Sequence, residues 1–106
     1  MYCTITVTIT RPNINSNFWY DTNYYQTIRP EVQTIFNEAI GNSQLIIDFN
    51  SDKSNDQLTY TRVTVFRDIA SKDIFMDEYN NKFPNYEVNR QSYCLNNGHI
   101  LTITEG

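Results

Sequence analysis

Thr4-Ile5-Thr6-Val7-Thr8-Ile9-Thr10 alternates polar and apolar side chains, and every one of them is β-branched. At the far end of the chain, His99-Ile100-Leu101-Thr102-Ile103-Thr104 follows the same alternation. Period-two patterning with branching at Cβ marks a strand that buries one face. Both ends of the chain are therefore expected inside a sheet. That reading sets the architecture and leaves the task open.

The 106 residues suit one domain, large enough to bury a core without staples. A hydrophobic content of 40% and an aromatic content of 14% are globular values. The net charge is −4, and Arg11, Lys53, Arg62 and Arg90 are scattered singly. No basic stripe exists to neutralise phosphates or to meet an anionic membrane, so neither nucleic acid nor membrane is expected as a partner. No apolar run approaches a membrane span, and the N-terminus lacks the basic start and long apolar stretch of a secretion signal. Cys3 and Cys94 are not spaced as a metal-binding pair. Two thiols without a secretion signal point to a reducing, cytoplasmic setting in which both are free and packed. The bias towards Asn, Thr, Ile and Tyr over Ala and Leu is that of AT-rich genomes, many viral ones among them.

Arg11-Pro12 ends the first strand, because proline removes a ladder donor and restricts the residue before it. After a polar connector come Phe18, Trp19, Tyr20, Tyr24 and Tyr25, with Asp21 or Thr22 as a cap for a short helical segment. Pro30 and Glu31 suit a helix start, and Val32, Ile35, Phe36, Ala39 and Ile40 repeat at helical spacing up to Gly41. A backward extension through the tyrosines, kinked at Pro30, is the alternative. Leu45 to Phe49 and Leu58 to Phe66 read as a hairpin with a loose polar tip. Ser71 is a cap for a second helix with Ile74, Phe75 and Tyr79 on its apolar stripe. Tyr86 to Leu95 reads as a strand, joined to the last strand by a two-residue Asn97-Gly98 hairpin turn.

The expected fold is α+β. It is a ferredoxin-like two-layer sandwich, βαββα followed by a β-hairpin, with two helices on one face of an antiparallel sheet. The other face needs cover. Thr6, Thr8, Thr59, Thr61 and Thr64 leave it half-polar, or a second copy pairs with it.

Gln44 through Tyr79 resembles the middle of the antibiotic-biosynthesis-monooxygenase family. The matching parts are a strand at Leu45 to Phe49, a polar turn at Ser51 to Gln57, a strand at Leu58 to Phe66, and Ser71 with Asp73 opening a helix. The resemblance implies a dimeric α/β-barrel fold. Phe66 stands where that family often has Trp, and Glu78 stands near where it often has His, so no catalytic residue carries over. Arg11-Pro12 followed by Phe18-Trp19 is also similar to short uncharacterised proteins of tailed phages.

Catalytic residue types are scarce. His99 is the single histidine. In the predicted hairpin it would be a diagonal neighbour of Cys94, which makes a Cys94–His99 nucleophile pair imaginable. A turn histidine and a packed cysteine explain the same residues. A Cys3–Cys94 disulfide is not expected, since the topology separates them beyond the reach of about 7 Å between Cα atoms. Asp52, Ser54 and Asp56 lack the glycine and closing glutamate of a calcium loop. Asp68, Asp73, Asp77 and Glu78 read as a solvated acidic helix face. No metal or cofactor is expected.

The aromatic cluster is the remaining lead. Phe18 reads as core, whereas Trp19, Tyr20, Tyr24 and Tyr25 read equally as core or as interface anchors. The leading expectation is a non-enzymatic interaction or assembly module that associates with itself or another protein, in a phage or virion setting. The alternative is a small-molecule enzyme or ligand binder using a cleft between sheet and helices, monooxygenase-like in type.

Overall fold

The computed structural model, which describes Met1–Gly106, sets the two terminal stretches side by side. Strand β1 (Cys3–Thr10) pairs antiparallel with β4 (Ile100–Glu105) on one flank and with β3 (Thr59–Phe66) on the other, and β2 (Ile46–Lys53) closes the far edge against β3. The sheet order is β2-β3-β1-β4, the ferredoxin-like order. Helices α1 (Asn23–Gly41), α2 (Ile69–Lys82) and α3 (Tyr86–Asn96) supply the second layer. Two of them lie between β3 and β4, where the ferredoxin-like order needs only one.

Helix α1 extends backwards through the tyrosines with Pro30 in its interior. Thr22 caps it by accepting the Tyr25 N–H, after a single 3-10 turn at Trp19–Asp21. Asp68, rather than Ser71, caps α2, accepting the Ser71 N–H at 2.7 Å. The hairpin tip is tied and not loose. The Asp56 carboxylate accepts from the Ser54 hydroxyl and the Leu58 N–H, and β2 runs on to Lys53.

The terminal hairpin is the main correction. Tyr86–Asn96 is helical, and Asn97-Gly98 ends that helix instead of turning a hairpin. Gly98 has φ +69°, the His99 N–H bonds the Cys94 carbonyl at 2.8 Å, and the Asn97 N–H bonds the Tyr93 carbonyl. This is a glycine-terminated helix end with a six-to-one closing bond. The buried residues of the segment are Tyr86, Arg90 and Cys94, spaced by four, while Val88 and Leu95 are exposed. The spacing of these buried residues is helical, which is why the segment is not a strand.

Alternation along β1 sorts the two faces of the sheet. Cys3, Ile5, Val7 and Ile9 face the helices, and Ile9 is fully buried. By register, Tyr60, Arg62, Thr64 and Phe66 of β3 lie on the same side. Thr64 is thus buried under the helices and does not belong to the outer face. The outer face carries Thr4, Thr6, Thr8 and Thr10, then Thr59, Thr61, Val63 and Val65, then Ile100, Thr102 and Thr104.

Candidate functional site

The aromatic cluster folds inwards. Trp19 is 0% exposed, and its ring packs against Tyr20, Tyr24, Tyr25 and Tyr86 at centroid distances of 4.9–6.1 Å. Its indole N–H donates to the Asn89 Oδ1 at 2.7 Å, which satisfies the one polar atom of the ring. Tyr20 and Tyr25 are buried too. Of the four interface candidates, only Tyr24 keeps a half-buried ring, so the cluster fastens the 3-10 turn and α1 onto α3 instead of presenting anchors to a neighbour.

Cys94 and His99 do not share a sheet face, because Cys94 lies on α3. The His99 Nε2 is 2.7 Å from the Ser16 hydroxyl, and Arg11 donates to the Ser16 carbonyl at 3.0 Å. Burial pushes the Cys94 thiol up, away from the thiolate that a nucleophile needs. Burial, then the Arg11 charge, lowers the His99 imidazole. No hydrogen bond joins the two side chains. The pair is a packed thiol beside a neutral histidine that holds the connector after β1. Cys3 and Cys94 are both free and buried.

What the sequence did not single out is the grouping of cations beneath the helices. Arg62 sits at an inward register position of β3, opposite Val7. Its guanidinium lies over Tyr20 at 4.8 Å, Phe49 at 5.1 Å and Phe36 at 5.5 Å from the ring centroids. It donates to the Tyr86 hydroxyl at 3.5 Å, the hydroxyls of Tyr20 and Tyr25 are further hydrogen-bond partners, and no carboxylate lies within ion-pair distance. Arg90 of α3 is 4% exposed, pairs with Glu87 at 2.6 Å, and keeps its Nε without a partner. Lys72 of α2 pairs with Asp73 at 2.8 Å and with Glu105 at 3.3 Å.

Arg62, Arg90 and Lys72 all line a cleft of about 310 Å³ between the sheet and helices α2 and α3. Ile5, Val7, Phe66, Phe75, Met76 and Ile103 form most of its apolar wall. A second hollow of about 520 Å³ lies under α1 and shares Tyr20, Phe36 and Arg62 with the first. The readable signal was the alternation Tyr60-Arg62-Thr64-Phe66, which places a cation on the apolar side of β3. No group of three or more His, Cys, Asp or Glu side chains is arranged to hold a metal, and no helix is long and apolar enough to cross a membrane.

The outer face differs in kind. Over β1, β3 and β4 it carries threonine, valine and isoleucine and no charge, while Asp48 and Asp52 stand on the β2 edge. Threonines 4, 6, 8 and 10 and both valines are half-buried, and Ile100 is 66% exposed.

No family model and no curated protein matches the chain. Among solved structures, a dimeric ferredoxin-like protein from an uncultured marine organism aligns over 99% of this chain and 92% of its own, with TM-score 0.55 and 12% identity. At that identity the likeness shows the fold, which is ferredoxin-like.

Proposed function

We propose that the chain is a self-associating, non-enzymatic interaction module whose uncovered sheet face is closed by a second copy of itself. The observation that carries this reading is the outer face. Three adjacent strands present β-branched side chains with no charge among them. A sheet face built to stay in water normally alternates towards charged residues, whereas the middle of an interface is depleted of them. Three strands at β-sheet spacing give an uncharged patch of about 26 by 14 Å, roughly 360 Å² before side-chain relief, which is the size of the centre of an interface whose rim takes in the β2 edge. A flat, self-similar face suits a two-fold contact, in which the same patch serves both copies. The structural neighbour is described as dimeric, in keeping with this reading. The comparisons lend no support to monooxygenase chemistry or to a phage setting, and neither enters the proposal.

Thr6 and Val63 are register partners at the middle of the face. The test is sedimentation velocity over a dilution series of the native chain and of Thr6→Lys with Val63→Lys. Dimer for the native chain and monomer for a double variant with an unchanged far-ultraviolet spectrum is the expected outcome. A native chain that stays monomeric at every concentration, or a folded double variant that assembles as before, would overturn the proposal.

A further inference from the structure

We infer that the cleft under α2 and α3 binds a small organic carboxylate with an apolar body, and that Arg62 is its anchor. The charges of the cleft decide the sign of the ligand. Arg90 is matched by Glu87, and Lys72 by Glu105 and Asp73. Of the three cations that line the cleft, Arg62 is the one without an anion. A guanidinium stays charged at any physiological pH, so this cation cannot avoid its desolvation by losing a proton. Arg62 is half-buried, and its ring contacts offset part of its lost hydration while leaving its charge without a counter-ion.

The geometry decides the shape of the ligand. Tyr20, Phe36 and Phe49 hold the Arg62 guanidinium at ring distances of 4.8–5.5 Å, which restrains its plane before anything binds. Its polar neighbours are the hydroxyls of Tyr86, Tyr20 and Tyr25, and none of them is an anion. A planar fork matches a carboxylate in two parallel charge-assisted bonds, stronger than the neutral hydroxyl contacts they would replace. Beyond Arg62 the cleft is walled by Ile5, Val7, Phe66 and Phe75, so the rest of the ligand is apolar. A volume of about 310 Å³ lies at the small end for organic ligands. The unpartnered Nε of Arg90, in the same wall, is a further donor left without an acceptor. This site lies on the opposite side of the sheet from the proposed dimer face, so either reading can fail without the other.

The experiment titrates the native chain with 3-phenylpropanoate and, separately, with its neutral amide. Binding is read from amide shifts in heteronuclear spectra and from Trp19 fluorescence, since Trp19 packs against Tyr20 and Tyr86. Saturable shifts at Arg62, Tyr20, Tyr86 and Phe75 are expected for the carboxylate, with the amide at least tenfold weaker. Arg62→Met loses at least tenfold in carboxylate affinity and nothing for the amide. Arg67→Gln, at an exposed pair with Asp68 outside the cleft, leaves both unchanged. If Arg62→Met fails to fold, the comparison of carboxylate with amide on the native chain decides alone. Equal binding of the two probes, no saturable shift with the carboxylate, or undiminished binding by a folded Arg62→Met chain would each overturn the inference.

Discussion

The two faces of the sheet are built from the same strands, yet they have taken opposite characters. On the inner side Cys3, Ile5, Val7 and Ile9 meet aromatic rings, three helices and two inward arginines. On the outer side the intervening residues of β1 are all threonine, half-buried against their cross-strand neighbours with no helix over them. Large side chains on the inner face make packing energetics local and specific, and they leave a hollow where α2 and α3 stand off the sheet. Short branched side chains make the outer face flat and without pockets of apolar character. One side is suited to hold a small molecule and the other to meet a broad surface.

The sharpest way to break the contrast is at Trp19. Trp19→Ala removes a fully buried ring and the Asn89 hydrogen bond, and should cost about 3–5 kcal/mol by denaturant unfolding. A loss below about 1 kcal/mol would mean that the inner aromatic cluster is not the core. Next comes Ile9→Thr, which puts an outer-face residue at an inner position. With Ile9 at 0% exposure, the hydroxyl is buried without a partner, and a loss of about 1–3 kcal/mol is expected from the same measurement. The reciprocal Thr8→Val, made in the monomeric double-lysine background, should change stability by less than about 0.5 kcal/mol. Equal effects from these two neighbours would erase the distinction between faces.

A smaller effect concerns pH. Burial first, and then the Arg11 charge, holds the His99 imidazole below its ordinary value of 6.5. The folded chain therefore binds fewer protons there than the unfolded chain. The stability that this supplies is complete above about pH 6.5 and is lost as pH falls through that value towards the lower folded one. Thermal unfolding at stepped pH should show a decline that His99→Gln flattens. Identical profiles for the two chains would remove His99 from the pH response.

Much of the fold was legible because alternation and helical spacing are local. The terminal strands, the central hairpin, and the Val32, Ile35 and Ala39 face of α1 all follow from side-chain period. The last third of the chain was misread because Asn-Gly serves two purposes. It turns a hairpin, and it also ends a helix with glycine in the left-handed region, and Tyr86 to Leu95 contains apolar residues compatible with either period. Reading that segment as a strand put Cys94 and His99 on one sheet face, and the observed helix leaves them joined only by the His99 N–H bond to the Cys94 carbonyl. The interface reading of Trp19, Tyr20 and Tyr25 met a different limit. Aromatic richness marks cores and interfaces alike, and only the packing of α3 against the 3-10 turn shows which one applies.

Period-two β-branching determined, from sequence alone, that both ends of this chain enter a sheet, since strand geometry forces neighbouring side chains to opposite sides. It also determined which threonines of β1 share a face. The tertiary structure alone decided that Arg62, Arg90 and Lys72 gather in one cleft, that two of these cations find carboxylates, and that one does not. The physical reason is distance along the chain. Alternation along β3 marks Arg62 as inward, but nothing local ties it to Lys72 of α2 or Arg90 of α3, and the three come together only when the helices close over the sheet.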